Sequence, residues 1–211
     1  MKIYLCSKVK YMLGEIHNDL TNLKNKKAVI LPWSFPNEIG SDDLEEKWIK
    51  PGMNKYYDKL INLGFEVIIE NCFKKSIRDI EKDIKDSGLL IITGGNPHML
   101  LKQLSPYKTI LSHYDGIIIG ESAGAEVFFK DYYIMKENSF VQQQEHLMGI
   151  GLIDEFYVDV HSIEEESYLS RLQQISKEQN KPMYFIDNLS AVIYDMKTHN
   201  IKCLGNAKLI K

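Results

Sequence analysis

The sequence is short of several things, and each shortage removes a class of protein. Only three cysteines occur in 211 residues, Cys6, Cys72 and Cys203, far apart and odd in number. That usage excludes a disulfide framework, argues against a metal site and suits a reducing cytoplasm. No apolar run is long enough to span a bilayer, so no membrane partner is expected. The first residues, Met1-Lys2-Ile3-Tyr4-Leu5-Cys6, read directly as a strand and lack a secretion-signal pattern, so a cytoplasmic location is expected. An excess of one charge is missing too. The formal net charge is −3, which gives no electrostatic reason to bind nucleic acid. Repeats, low-complexity tracts and evident linkers are absent, so residues 1–211 read as one domain.

What is present is an ordinary globular balance, 44% hydrophobic and 26% charged, in a chain long enough for one sizeable core. Buried strands are expected at Lys2–Cys6, Ala28–Leu31, Phe65–Ile69, Leu89–Ile92 and Ile117–Ile119. Between them lie helical stretches: Leu13–Leu23, a segment from Pro51 bearing Met53, Tyr56, Tyr57, Leu60 and Ile61, and one capped by Ser76 with Ile77, Ile80 and Ile84 inward. A fourth opens at Asn96-Pro97 and carries Met99, Leu100 and Leu104. Strand and helix in alternation predict a parallel sheet covered on both faces. Trp33 and Phe35, in the loop after the second strand, are read equally as pocket lining or as caps on the core. Lys130–Gln144 reads as an irregular polar loop, Phe156–His161 as an alternating strand and Glu164–Glu178 as a helix. The tail from Met183 reads as a closing antiparallel meander.

One stretch carries chemistry. Ile117-Ile118-Ile119 runs straight into Gly120-Glu121-Ser122-Ala123-Gly124, after which Ala125–Phe129 reads as helix. A strand that stops on Gly-x-Ser-x-Gly and turns into a helix presents its serine at the sheet rim. The Ala123 amide can then face a developing oxyanion. Thr93-Gly94-Gly95-Asn96 ends the preceding strand in a second glycine turn, where the Gly95 amide could serve as the other donor. A bare βα turn with a capping serine is the simpler reading of either motif. A serine hydroxyl needs a base. Of six histidines, His161 ends a strand and can reach the rim, with His146 second. The group that orients the imidazole stays open among Glu137, Glu126, Glu145, Asp159 and the Glu164–Glu166 run.

Four pieces of the chain resemble the serine peptidase family of dipeptidase E and cyanophycinase, peptidase family S51. They are Thr93-Gly94-Gly95-Asn96, the elbow through Ala125, Gly149-Ile150-Gly151-Leu152 with Asp159-Val160-His161, and Ile186-Asp187-Asn188-Leu189-Ser190-Ala191. The resemblance implies a flavodoxin-like α/β fold, a three-layer sandwich with a mostly parallel central sheet like that of class I glutamine amidotransferases. It implies Ser122 as nucleophile, His161 as general base, and the Gly95 and Ala123 amides as oxyanion hole. By its distance from the serine, Glu137 stands where dipeptidase E carries its acidic residue. Asn96, Glu121 and Arg171 are expected to meet the substrate. Tyr168 replaces a second arginine, which weakens the expected selectivity for aspartyl peptides. The reading is a serine exopeptidase or dipeptidase, monomer or homodimer, that needs no cofactor and no metal. The alternatives are an esterase of the α/β-hydrolase type and a non-catalytic amidotransferase-like domain.

Overall fold

Unbroken runs of β-branched residues and leucine make the centre of the molecule. In a computed structural model of the chain, residues 1–34, 57–137 and 143–210 are described. Along the chain, strands β1 (Lys2–Cys6), β2 (Lys27–Leu31), β3 (Glu66–Ile69), β4 (Leu89–Ile92) and β5 (Ile117–Glu121) are mutually parallel wherever they pair. Strands β6 (Asp131–Ile134) and β7 (Glu145–Met148) form a hairpin-like pair. Next come β8 (Tyr157–Val160), β9 (Met183–Ile186), β10 (Ala191–Asp195), β11 (Asn200–Leu204) and β12 (Lys208–Ile210). The main sheet has the order β11-β10-β1-β5-β4-β2-β3, with β10 and β11 antiparallel at one edge. A smaller sheet has the order β12-β9-β8.

The two-residue period of a strand sends its side chains to two separate cores. Leu5, Val29, Leu90 and Ile118 pack on one face. Helices α3 (Ile77–Lys85), α4 (Pro97–Leu104) and α5 (Lys108–Ser112) cover them with Ile80, Ile84, Leu100, Leu104 and Ile110. Tyr4, Ile30, Ile91 and Ile119 pack on the other face, under α1 (Val9–Glu15) and α2 (His17–Thr21). The smaller sheet has its own core, in which Tyr157 and Phe185 meet Leu172 and Ile175 of α7 (Glu166–Gln179). In the main sheet β2 leads outward to β3, whereas β4 leads inward to β5. The loops after β2 and β4 therefore part at a topological switch point, where such sheets place their sites.

Several expectations are corrected. The helix predicted over Leu13–Leu23 begins at Val9 and breaks at Ile16 (φ −98°, ψ 10°) into α1 and α2. Its early start has a remote cause: Glu121 Oε1 accepts from the Val9 amide at 3.1 Å, a cap supplied by another strand. Ile77 is exposed, so only Ile80 and Ile84 hold α3 to the core. Tyr57 and Ile61 also face outward, and Leu60 alone of that described pair of turns is buried; Phe35, Pro51, Met53 and Tyr56 lie outside the described residues. The stretch read as an irregular loop contains β6, and residues 156–161 do not alternate because all four residues of β8 are buried. The tail is not one meander. β9 leaves it to pair parallel with β8, and only β10 and β11 close the main sheet.

The bend after β5 depends on bare backbone. A Cβ on Gly120 would lie 2.3 Å from the Gly124 carbonyl oxygen, and one on Gly124 would lie 2.2 Å from the Ile92 carbonyl oxygen. Either Gly→Ala change should cost about 1–3 kcal/mol or more in denaturant unfolding, the range for overpacking. Gly14→Ala in α1 meets nothing within 4 Å. It should raise stability, by about 0.5–1 kcal/mol.

Candidate active site

The elbow is built from constraint on both sides. Ser122 sits at φ 54°, ψ −121° between β5 and α6 (Ala123–Glu126), a conformation that costs a non-glycine residue about 1–3 kcal/mol. Its amide donates to the Cys6 carbonyl at 2.8 Å, which continues the β1–β5 pairing by one residue. Its carbonyl accepts from the Ala125 and Glu126 amides at 2.7 and 3.2 Å, which starts the helix. The strained residue is thus clamped by the two elements it joins. The glycine turn after β4 lies against it: a Cβ on Gly94 would be 2.7 Å from Ser122 Cβ.

The imidazole arrives from the smaller sheet. His161 follows β8 with a positive φ of 57°. Its amide donates to Ser7 Oγ at 2.8 Å, and that hydroxyl donates to the Ile186 carbonyl at 3.0 Å. His161 Nε2 then lies 2.9 Å from Ser122 Oγ, and Nδ1 lies 2.8 Å from Asn188 Oδ1. An amide oxygen can only accept, so Nδ1 carries the proton and Nε2 presents its lone pair to the hydroxyl. Asn188 comes within reach because β8 and β9 run parallel with Val160 opposite Ile186, so both residues leave the same sheet edge.

Glu137 does not occupy the position expected of it. Its carboxylate is bound by Arg171 Nη2 at 2.5 Å. Partial burial lifts its pKa, but the guanidinium outweighs that and holds it below the ordinary glutamate value. The same pairing occupies Arg171, which was expected to bind substrate. Glu121 is buried and caps α1, turned away from the serine. Asn96 caps α4 by accepting from the Met99 amide at 3.0 Å. Trp33 is buried, with Nε1 donating to the Glu70 carbonyl, so it seals the core rather than lining the site. Among the other candidates, Glu145 pairs with His98, His146 stacks on Tyr133, and Glu164 pairs with Lys208. In the sequence Asn188 stands only as part of the Ile186–Ala191 turn. Nothing local marks it, because its partner is set by strand pairing.

Beside Ser122 and His161 lies a cavity of about 310 Å³. A larger one, about 790 Å³, opens at the amino ends of β4 and β5, near Gly88 and Gly116. The smaller cavity is the candidate site, since it is the one that Ser122 and His161 line, at the carboxyl ends of the strands. Glu126 and Asp159, each 3% exposed, line it together with Tyr168. Burial raises the Asp159 carboxyl to about 6, against the pull of hydrogen bonds from Ser162 and Tyr168. The Tyr168 hydroxyl donates to Asp159 at 2.8 Å. Burial, and then the nearby Asp159, push Glu126 well above the ordinary range.

A serine hydroxyl on a strand-to-helix bend faces an imidazole at the rim of a mostly parallel sheet, the arrangement that a serine-type hydrolase requires. The sequence profile of peptidase family S51 matches residues 10–202, and the chain belongs to that family and is a serine peptidase. It is similar in structure to a provisionally assigned peptidase E protein of Listeria monocytogenes EGD-e. That pair has a TM-score of 0.69 and 22% identity, over 97% of this chain and 98% of the other. It is similar also to a peptidase of an acI-B1 Actinobacterium, with TM-score 0.69 and 18% identity, over 100% and 90% of the two chains. No curated protein matches it in sequence. The family assignment sets aside the α/β-hydrolase esterase and the non-catalytic domain. Among the described residues no helix is long and apolar enough to cross a membrane.

Asp159 has a folded pKa raised above its unfolded value, so its stabilising contribution is present below the unfolded pKa and is lost as pH rises through about 6. Relative to wild type, Asp159→Asn should therefore gain roughly 3 kcal/mol in unfolding free energy between pH 3.5 and pH 7.5. Urea titrations of both proteins across that window measure it.

Proposed function

We propose that this chain is a serine exopeptidase of small peptides, dipeptides among them, with Ser122 as nucleophile and His161 as general base. The observation that carries the reading is the 2.9 Å contact from Ser122 Oγ to Nε2 of an imidazole whose other nitrogen is already a donor. The hydroxyl attacks the scissile carbonyl carbon as its proton passes to Nε2. The carbonyl oxygen becomes an oxyanion, received by the Gly95 and Ala123 amides. Two features support that assignment: the Ala123 N–H heads a helix and has no intrahelical acceptor, and the Gly94-Gly95 turn abuts the serine. The C–N bond then breaks, and the imidazolium returns its proton to the leaving amine. Water, deprotonated by the same Nε2, releases the acyl group and restores Ser122. A cavity of about 310 Å³ is at the small end for ligand sites and suits a dipeptide rather than an extended chain.

Asn188 is the positioning residue for the imidazole. It holds the tautomer and ring direction that a carboxylate would, without a full charge beside the imidazolium. Glu137 acts at a distance, by neutralising Arg171.

A fluorophosphonate probe should label wild-type protein and leave Ser122→Ala unlabelled. In His161→Ala the labelling rate should fall by roughly 10²-fold or more. Equal labelling of wild type and His161→Ala refutes the dyad. Asn188→Ala should lower kcat by about tenfold to hundredfold with KM little changed. Asn188→Asp should restore most of that rate, and should move the acid limb of the rate–pH profile to higher pH, because a carboxylate there favours the protonated imidazole. A merely structural asparagine would leave the position of that limb unmoved.

A further inference from the structure

The acidic side of the cavity has no part in the chemistry just described. Glu126 lies one helical turn beyond the nucleophile, on α6, and is buried while lining the cavity. Its Oε2 has no hydrogen-bond partner among the described residues. Leaving a buried carboxyl oxygen unpaired is costly, so the site is complete only when something binds there. The buried Tyr132 hydroxyl is likewise unpartnered and feels the charge of Glu126. Asp159 faces the same cavity from β8. Its carboxyl oxygens accept from Tyr168 and Ser162, but both donors are neutral hydroxyls. The arginine that could balance it, Arg171, is taken by Glu137. Lys8 is the remaining lining base and belongs to another element, at the start of α1.

We propose that Glu126 and Asp159 form a subsite for a cationic group, an ammonium or guanidinium, on the amino-terminal residue of the peptide whose carbonyl Ser122 attacks. The proposal rests on the peptidase reading above and names its substrate class. A buried carboxyl is harder to ionise when a second carboxyl lies near it. Burial raises both groups, and Asp159 raises Glu126 further while Glu137, which also lines the cavity, raises Asp159. A cation between them removes that penalty and supplies the donor that Glu126 lacks. An acidic side chain in the same place would meet like charge, so the subsite selects against aspartyl and glutamyl peptides.

The test compares kcat/KM of wild-type protein on lysyl-leucine, norleucyl-leucine, Nα-acetyl-lysyl-leucine and aspartyl-leucine, with Ser122→Ala as blank. Lysyl-leucine should exceed aspartyl-leucine by about a hundredfold, the worth of a charge-assisted hydrogen bond gained and a repulsion avoided. A preference for lysyl over norleucyl peptide assigns the cation to the side chain. Equal rates on those two overturn the subsite, because the α-ammonium is common to the lysyl, norleucyl and aspartyl peptides; loss on the acetylated peptide alone reports only the free amino terminus that an exopeptidase requires. The lysyl to aspartyl ratio should fall about tenfold in Glu126→Gln and in Asp159→Asn, mainly through KM. A ratio of one or less in wild type overturns the subsite, as does a ratio unchanged in both variants. If one variant fails to fold, the wild-type ratio and the other variant decide. If no peptide is cleaved, the exopeptidase reading is what fails. Calorimetric binding of the lysyl and aspartyl peptides to Ser122→Ala then decides the subsite by the same ratio.

Discussion

The site depends on the two residues at the carboxyl end of β1. The Cys6 carbonyl holds the amide of Ser122, and the Ser7 hydroxyl holds the amide of His161 while donating to Ile186. One strand end therefore fixes a residue of the main sheet and a residue of the smaller sheet. Ser7 is buried, so these bonds form away from competing water, where losing one leaves an unpaired group. The 2.9 Å approach of imidazole to hydroxyl is the outcome of this clamp. The packing of α6 against β8, which sets Glu126 beside Asp159, supports the same approach.

Both residues of the candidate dyad sit at positive φ, Ser122 at 54° and His161 at 57°. Neither would adopt that conformation alone. In each case a strand has just ended and its last hydrogen bond is made to a neighbour, so the chain is held while the side chain is turned outward. The energy for this comes from the surrounding cores, where strand residues are buried on both faces and the helices that cover them are held by apolar contact.

Much of this was legible in the sequence, for a physical reason. Parallel strands are buried on both sides and so read as apolar runs, which is why Lys2–Cys6, Leu89–Ile92 and Met183–Ile186 coincide with β1, β4 and β9. The elbow was legible because its glycines stand at a fixed spacing about the serine, although Gly124 is required by the Ile92 carbonyl of β4 and only Gly120 by its near neighbours. What could not be read depends on long-range pairing. The cap on α1 comes from Glu121, over a hundred residues later in the chain. The departure of β9 into the smaller sheet follows from its partner, β8, and not from its composition. Asn188 at the imidazole is a consequence of that same pairing, and Arg171 meets Glu137 from another element altogether. The family resemblance, counted along the chain from the serine, implies a carboxylate where the fold places the Asn188 amide.

The turn that holds Asn188 runs from β9, in the smaller sheet, to β10, in the main sheet. It belongs to neither sheet and is a covalent hinge between them, as is the short turn from β11 to β12. Asp187 tightens it by accepting from the Leu189 amide and from Asn206. A small rotation of one sheet against the other would thus be felt at the Nδ1 side of the ring through this hinge. The Nε2 side would be spared for longer, because the Ser7 bridge spans both sheets at once. The ring is steered from the seam between two layers, so alignment of the base reports on how those layers sit together.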